Sequence, residues 1–190
     1  MRNVIANAKN QNLKMKILTL FVLLLSVTFG FSQTKIWSKN MNSIIGQDYK
    51  TLGDTIVLED QTITKTGSGY MLSKDNKASN EDYGIVICRS TKSIFYLFLK
   101  FQRIDSEKKE IILDILEIDR TYLTGNIMTE YCETKNGSDT EILALVKDTK
   151  DNPEFYTKVV KAWKANRKSE KFEKISKKKV KRCGNEGYGI

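Results

Sequence analysis

Histidine is absent from this sequence. That removes Ser–His and Cys–His nucleophile pairs, histidine zinc sites and the usual general base near neutral pH. Carboxylate pairs and lysines remain available for catalysis. Proline occurs once. With no Pro/Gly/Ser-rich linker and no tandem repeat, a single domain is expected. The three cysteines lack C-x-x-C spacing, which leaves a thioredoxin-like redox site or a zinc knuckle unsupported. No G-x-x-x-x-G-K-[ST] loop occurs. TGSGY (66–70) is too short for a phosphate cradle and reads as a turn or bulge. No cofactor and no metal site is implied.

What is present begins with the amino-terminal stretch LKMKILTLFVLLLSVTFGFSQTK (13–35). Lys14 and Lys16 precede an apolar run ending in small residues, the pattern of a secretory signal peptide. Residues 1–32 are expected to be that signal, cut before Gln33, with Met15 as an alternative start. The run is short for a bilayer span, which needs about 20 apolar residues. No cysteine follows it to carry a lipid anchor. A periplasmic or secreted protein is expected; the competing reading is a retained amino-terminal anchor.

In an oxidising compartment two of the three cysteines are expected to pair. Cys88 lies in GIVICRS, apolar on both sides, as in a buried central strand. Cys132 and Cys183 lie in polar, turn-rich contexts, so a Cys132–Cys183 disulfide is favoured among the three pairings that sequence alone leaves open.

The formal charge is +9, and loss of residues 1–32 leaves 28 Lys/Arg against 23 Asp/Glu. The excess is concentrated. Residues 158–182 hold 12 Lys/Arg against Glu170 and Glu173, whereas residues 33–157 hold 16 against 20 acids. Such a block attracts polyanions through counterion release, or is simply a solvated face. Lys161, Lys164, Arg167, Lys168, Lys177, Lys178 and Lys179 are the candidate anion-binding residues. Outside the cytoplasm nucleic acid is scarce, so anionic lipid, lipopolysaccharide or acidic glycan is the expected class of partner.

Strand signals fill the middle of the chain. They fall at 54–59, 62–72, 84–90, 93–104, 126–133 and 141–147, with a final short one at 171–176. SIFYLFLKFQRI (93–104) is the strongest. Residues 110–119 fit either a helix stripe or a hairpin partner for 93–104, and the isoleucines favour the strand. DNPEFYTKVVKAWKANRKS (151–169) reads as an amphipathic helix. Asp151 or Asn152 would cap it, Pro153 would occupy its first turn, and Phe155, Val159 and Trp163 would form an apolar stripe. The expected fold class is therefore α+β, an antiparallel sheet with one helix packed on a face. A basic, glycine-containing tail (177–190) would follow a domain at 33–176.

Asp114, Glu117 and Asp119 form the one acidic cluster within an apolar segment. They would serve a carboxylate-dependent hydrolase acting on envelope glycans, or face solvent at a sheet edge. Asp75, Asn76, Glu81 and Asp82 lack the spacing of a calcium loop.

EILALVK (141–147), VVKAWKANRKSEKFEKI (159–175) and CGNEGYG (183–189) resemble the carboxy-terminal half of small, uncharacterised secreted proteins of the Bacteroidota. FGFSQ (29–33) resembles the signal ends of flavobacterial exported proteins. The resemblance implies export and no mechanism. The leading expectation is a non-enzymatic exported binding module with a basic carboxy-terminal face, and the alternative is the hydrolase.

Overall fold

The computed structural model describes residues 35–36, 41–58, 61–71, 82–149, 151 and 153–188. They belong to one compact unit, Lys35–Ile190. The expected signal peptide and most of the acidic loop with Asp75, Asn76 and Glu81 lie outside the described residues.

The first sheet contains β1 (Lys35–Ile36), β2 (Thr55–Val57), β3 (Thr62–Met71), β4 (Asp82–Arg89), β5 (Ser93–Ile104) and β6 (Glu107–Asp119), side by side in chain order. All neighbours are antiparallel except the β1–β2 pair. The isoleucine-rich segment 110–119 is thus a strand. It meets β5 across a two-residue turn in which Asp105 and Ser106 both have positive φ, the twist a tight hairpin needs. Gly67–Gly69 sits at a bulge inside β3 rather than at a hairpin turn. A Cβ on Gly69 would stand 2.7 Å from the Ile85 carbonyl oxygen, so the close approach of β3 to β4 requires glycine there.

Alternation along β5 divides the core. Phe95, Leu97 and Leu99 face one side with Ile112, Ile56 and Ile63, and Met41, Ile44 and Leu52 close that side. Cys88 is buried in this cluster as a free thiol. Tyr96 and Phe98 face the other side, against Leu143, Trp163, Ala165 and Phe172. The outer edge of β6 is covered at Ile112, where Gly46 N–H donates to the Ile112 carbonyl at 2.7 Å and Ile112 N–H to the Gln47 carbonyl at 3.0 Å.

The second sheet has the order β13 (Lys171–Ile175), β12 (Val159–Asn166), β10 (Ile142–Lys147), β7 (Asn126–Thr129). The third has β11 (Phe155–Tyr156), β14 (Val180–Gly184), β8 (Cys132–Thr134), β9 (Gly137–Asp139). The second sheet lies between the other two. Leu143 packs toward the first sheet, while Ile142, Ala144 and Val146 pack with Cys132, Val180 and Cys183 of the third. A strand buried on both faces reads as a continuous apolar run, which accounts for EILALVK.

The expected α+β class is corrected by these elements. Among the described residues no helix exceeds four residues, and the strands pair mostly antiparallel. The segment read as an amphipathic helix is β11, β12 and the turn into β13. Its supposed stripe divides between two cores, Val159 toward the third sheet and Trp163 toward the first. A bulge at Val160 adds one residue to β12, so Val159 and Ala162, three apart, share a face. Double-sided burial plus a bulge imitates helical spacing.

Candidate anion-binding groove

The third sheet sets up the basic surface. Cys132 and Cys183 are cross-strand partners on β8 and β14, joined by a disulfide. Beside them Arg182 pairs with Glu133 in a two-pronged contact, Nε to Oε2 at 2.8 Å and Nη2 to Oε1 at 3.0 Å. The same guanidinium stacks 3.8 Å from the Phe155 ring centroid. Hydrogen bonding from Arg182 holds the Glu133 carboxyl below the ordinary glutamate range.

This clamp fixes what lies beyond it. Val180 faces Thr134 and Arg182 faces Glu133, so Lys181 is the extra residue of a β-bulge. Bulges re-aim side chains, and Lys181 lines a groove of about 660 Å³. Its lining is drawn from the β8–β9 turn (Thr134, Lys135 and Asn136), from Lys178 and Lys179 of the 3₁₀ turn Lys177–Lys179 together with Lys181, and from Ile142, Ile175, Lys164 and Asp139. Five lysines and one aspartate line the groove.

The lysines differ in what they are free to do. Lys164 Nζ stands 3.0 Å from both Asp139 Oδ2 and Glu141 Oε2. Burial works against its charge, but the hydrogen bonds to Asp139 and Glu141 prevail and hold its pKa above the ordinary lysine value. Among the described residues Lys135, Lys178, Lys179 and Lys181 have no carboxylate within 4.0 Å of their ammonium groups. All four are exposed.

Of the residues expected from sequence, Lys164, Lys178 and Lys179 meet in the groove. Lys161 stacks 3.8 Å over the Tyr122 ring and lines a separate 80 Å³ pocket with Glu117 and Trp163. Arg167 Nε lies 2.8 Å from Glu141 Oε1, although its N–H groups are not aligned on an acceptor, so the contact is ionic. Lys168 is exposed at the turn between β12 and β13, and Lys177 is exposed in its 3₁₀ turn. Lys135 and Lys181 were missed. A Cys132–Cys183 pair in antiparallel strands would have placed 134–135 opposite 180–181, which is the signal that finds them.

The acidic candidates are not brought together. Asp114 lies opposite Phe98 on β6, and its Oδ2 accepts the Phe172 N–H at 2.7 Å. Glu117, opposite Phe95 and therefore on the alternate side, accepts the Ser93 hydroxyl at 2.6 Å. Asp119 caps the 3₁₀ turn Arg120–Leu123 through the Thr121 N–H at 2.8 Å. Each carboxylate has a structural task. Among the described residues no group of three His, Cys, Asp or Glu side chains is arranged to hold a metal ion.

One unpredicted group is electrostatically unusual. Burial, reinforced by Glu186 and opposed by Arg89, pushes the Glu130 carboxyl up to about 7.

Comparisons with protein-family models, with curated proteins and with solved structures return no match, so the groove is interpreted from its own geometry.

Proposed function

We propose that this chain is an exported, non-enzymatic binding module that holds an anionic component of the cell envelope in the lysine-lined groove. The observation that carries this reading is convergence. Lys135 comes from one chain segment and Lys178, Lys179 and Lys181 from another 40-odd residues away, yet all border one concavity. A solvated basic face has no need to gather its charges around a groove. The volume falls within the ~300–1,000 Å³ of small-molecule sites. Export is supported by the amino-terminal signal pattern and agrees with the disulfide. Anionic lipid, lipopolysaccharide and acidic glycan share the required charge.

The test compares the disulfide-bonded parent with a Lys178→Glu/Lys179→Glu/Lys181→Glu variant for retention on phosphatidylglycerol vesicles and on an immobilised uronate glycan at low salt. Loss of about tenfold or more in affinity is expected on at least one of these surfaces, since each cation near an anionic surface contributes ~1 kcal/mol. Equal binding by parent and variant on both surfaces would remove the proposal.

A further inference from the structure

We infer that the groove takes a phosphorylated amphiphile, with its phosphoryl group among Lys178, Lys179 and Lys181 and its hydrocarbon chain along Ile142 and Ile175. This deepens the anion-binding reading and rests on it.

Three observations narrow the ligand. First, every cation lining the groove is lysine. Arg167 and Arg182, which do not line it, are engaged by Glu141 and Glu133. Arginine's planar fork matches carboxylate and phosphate alike, whereas lysine is a compact, strongly hydrated point charge that binds phosphoryl groups without that planar match. Second, no aromatic side chain lines the groove. The stacking surface that holds nucleobases is missing, and the exposed aromatics Tyr122, Tyr131 and Tyr188 are not among the lining residues. Third, half-buried Ile175 and the buried Ile142 are among the lining residues, and the lining surface is mostly carbon, including the lysine stems. Cations set beside aliphatic surface complement one kind of molecule, an anion that carries a chain.

Geometry supports a divided site. Lys178 and Lys179 are consecutive in a 3₁₀ turn, and Lys181 is turned out by the bulge two residues on. Val180 between them is buried beside the disulfide and fixes that segment. Lys164 is held back by Asp139 and Glu141, which leaves Lys135, Lys178, Lys179 and Lys181 as the lining cations with no carboxylate partner among the described residues.

The experiment is calorimetric titration of the disulfide-bonded protein with dodecyl phosphate below its micelle concentration, inorganic phosphate and dodecyl maltoside at one ionic strength. Methyl NMR of Ile142 and Ile175 is recorded in parallel. Dodecyl phosphate is expected to bind at least about tenfold more tightly than inorganic phosphate, a gain that two buried methylenes supply. Both isoleucine methyl signals should move with dodecyl phosphate and stay in place with inorganic phosphate. Ile175→Ser should erase the chain-length gain while phosphate binding persists. If the variant does not fold, the methyl shifts of the parent decide. Equal affinity for the two phosphates, or tighter binding of dodecyl phosphate without methyl shifts, overturns the amphiphile and leaves anion binding standing. Equal binding of dodecyl maltoside overturns the phosphoryl half. Failure of either phosphate to bind, together with retention unaffected by the lysine-to-glutamate changes, overturns both readings.

Discussion

Cys132 and Cys183 face each other across β8 and β14 with their Cα atoms 4.0 Å apart, and this pair sets the register that brings the Lys135 turn against Lys178–Lys181. The disulfide, the Arg182–Glu133 contact and the Lys181 bulge occupy consecutive positions on one strand pair. The groove is an extension of that register.

Removing the link should therefore affect both stability and binding. The disulfide closes a separation of 51 residues, worth about 4 kcal/mol by chain entropy. A Cys132→Ala/Cys183→Ala variant is expected to show a urea midpoint lowered accordingly, and weaker anion binding where it remains folded. An unchanged midpoint would mean that the third sheet does not depend on the link.

Glu141 is buried between Lys164 and Arg167. Glu141→Ala should cost roughly 3 kcal/mol, because Arg167 is left without its carboxylate while Lys164 keeps Asp139. A second change, Arg167→Leu, should restore part of the loss. Denaturant unfolding of the three variants measures the coupling directly.

Asp139 is the carboxylate within the groove lining, and it holds Lys164 at 3.0 Å. Asp139→Asn is expected to strengthen binding of inorganic phosphate by about fivefold, near the ~1 kcal/mol of one added charge at an anionic surface. The Glu141 N–H keeps its acceptor, since an asparagine carbonyl can replace Asp139 Oδ1 at 3.1 Å. A weakened titration would show that Asp139 supports the site.

Glu130 predicts a pH dependence. Its folded pKa of about 7 stands above the ordinary 4.5. Between those values the unfolded chain has released its proton and the folded chain retains it, so stability should fall as pH rises from about 4.5 to 7 and level off above. Thermal unfolding across that range is the check, with Glu130→Gln expected to flatten this contribution to the curve. A parent whose stability rises through the window contradicts the assignment.

Much of this fold was legible in the sequence. SIFYLFLKFQRI forms β5 over the residues its composition indicates, and Cys132, Cys183 and the buried free Cys88 behave as their contexts implied. The helix reading failed at Phe155, Val159 and Trp163. Periodicity assumes one buried face, whereas β12 has two and carries a bulge at Val160. The candidate site was legible in part for a related reason. Charge density identified Lys164, Lys178 and Lys179, but it also drew in Lys161 and Arg167, whose charges are occupied by Tyr122 and Glu141. Only register separates the lysines that converge from those that merely follow one another in the chain.

The most direct test of the groove is an NMR titration of the lysine side chains with inorganic pyrophosphate, using the disulfide-bonded protein. The groove account predicts that Lys135, Lys178, Lys179 and Lys181 shift together with one saturation curve, while Lys161 and Lys168 stay in place. Equal, unsaturating shifts at all six would mean that the basic segment is a diffuse surface, and would contradict a binding groove.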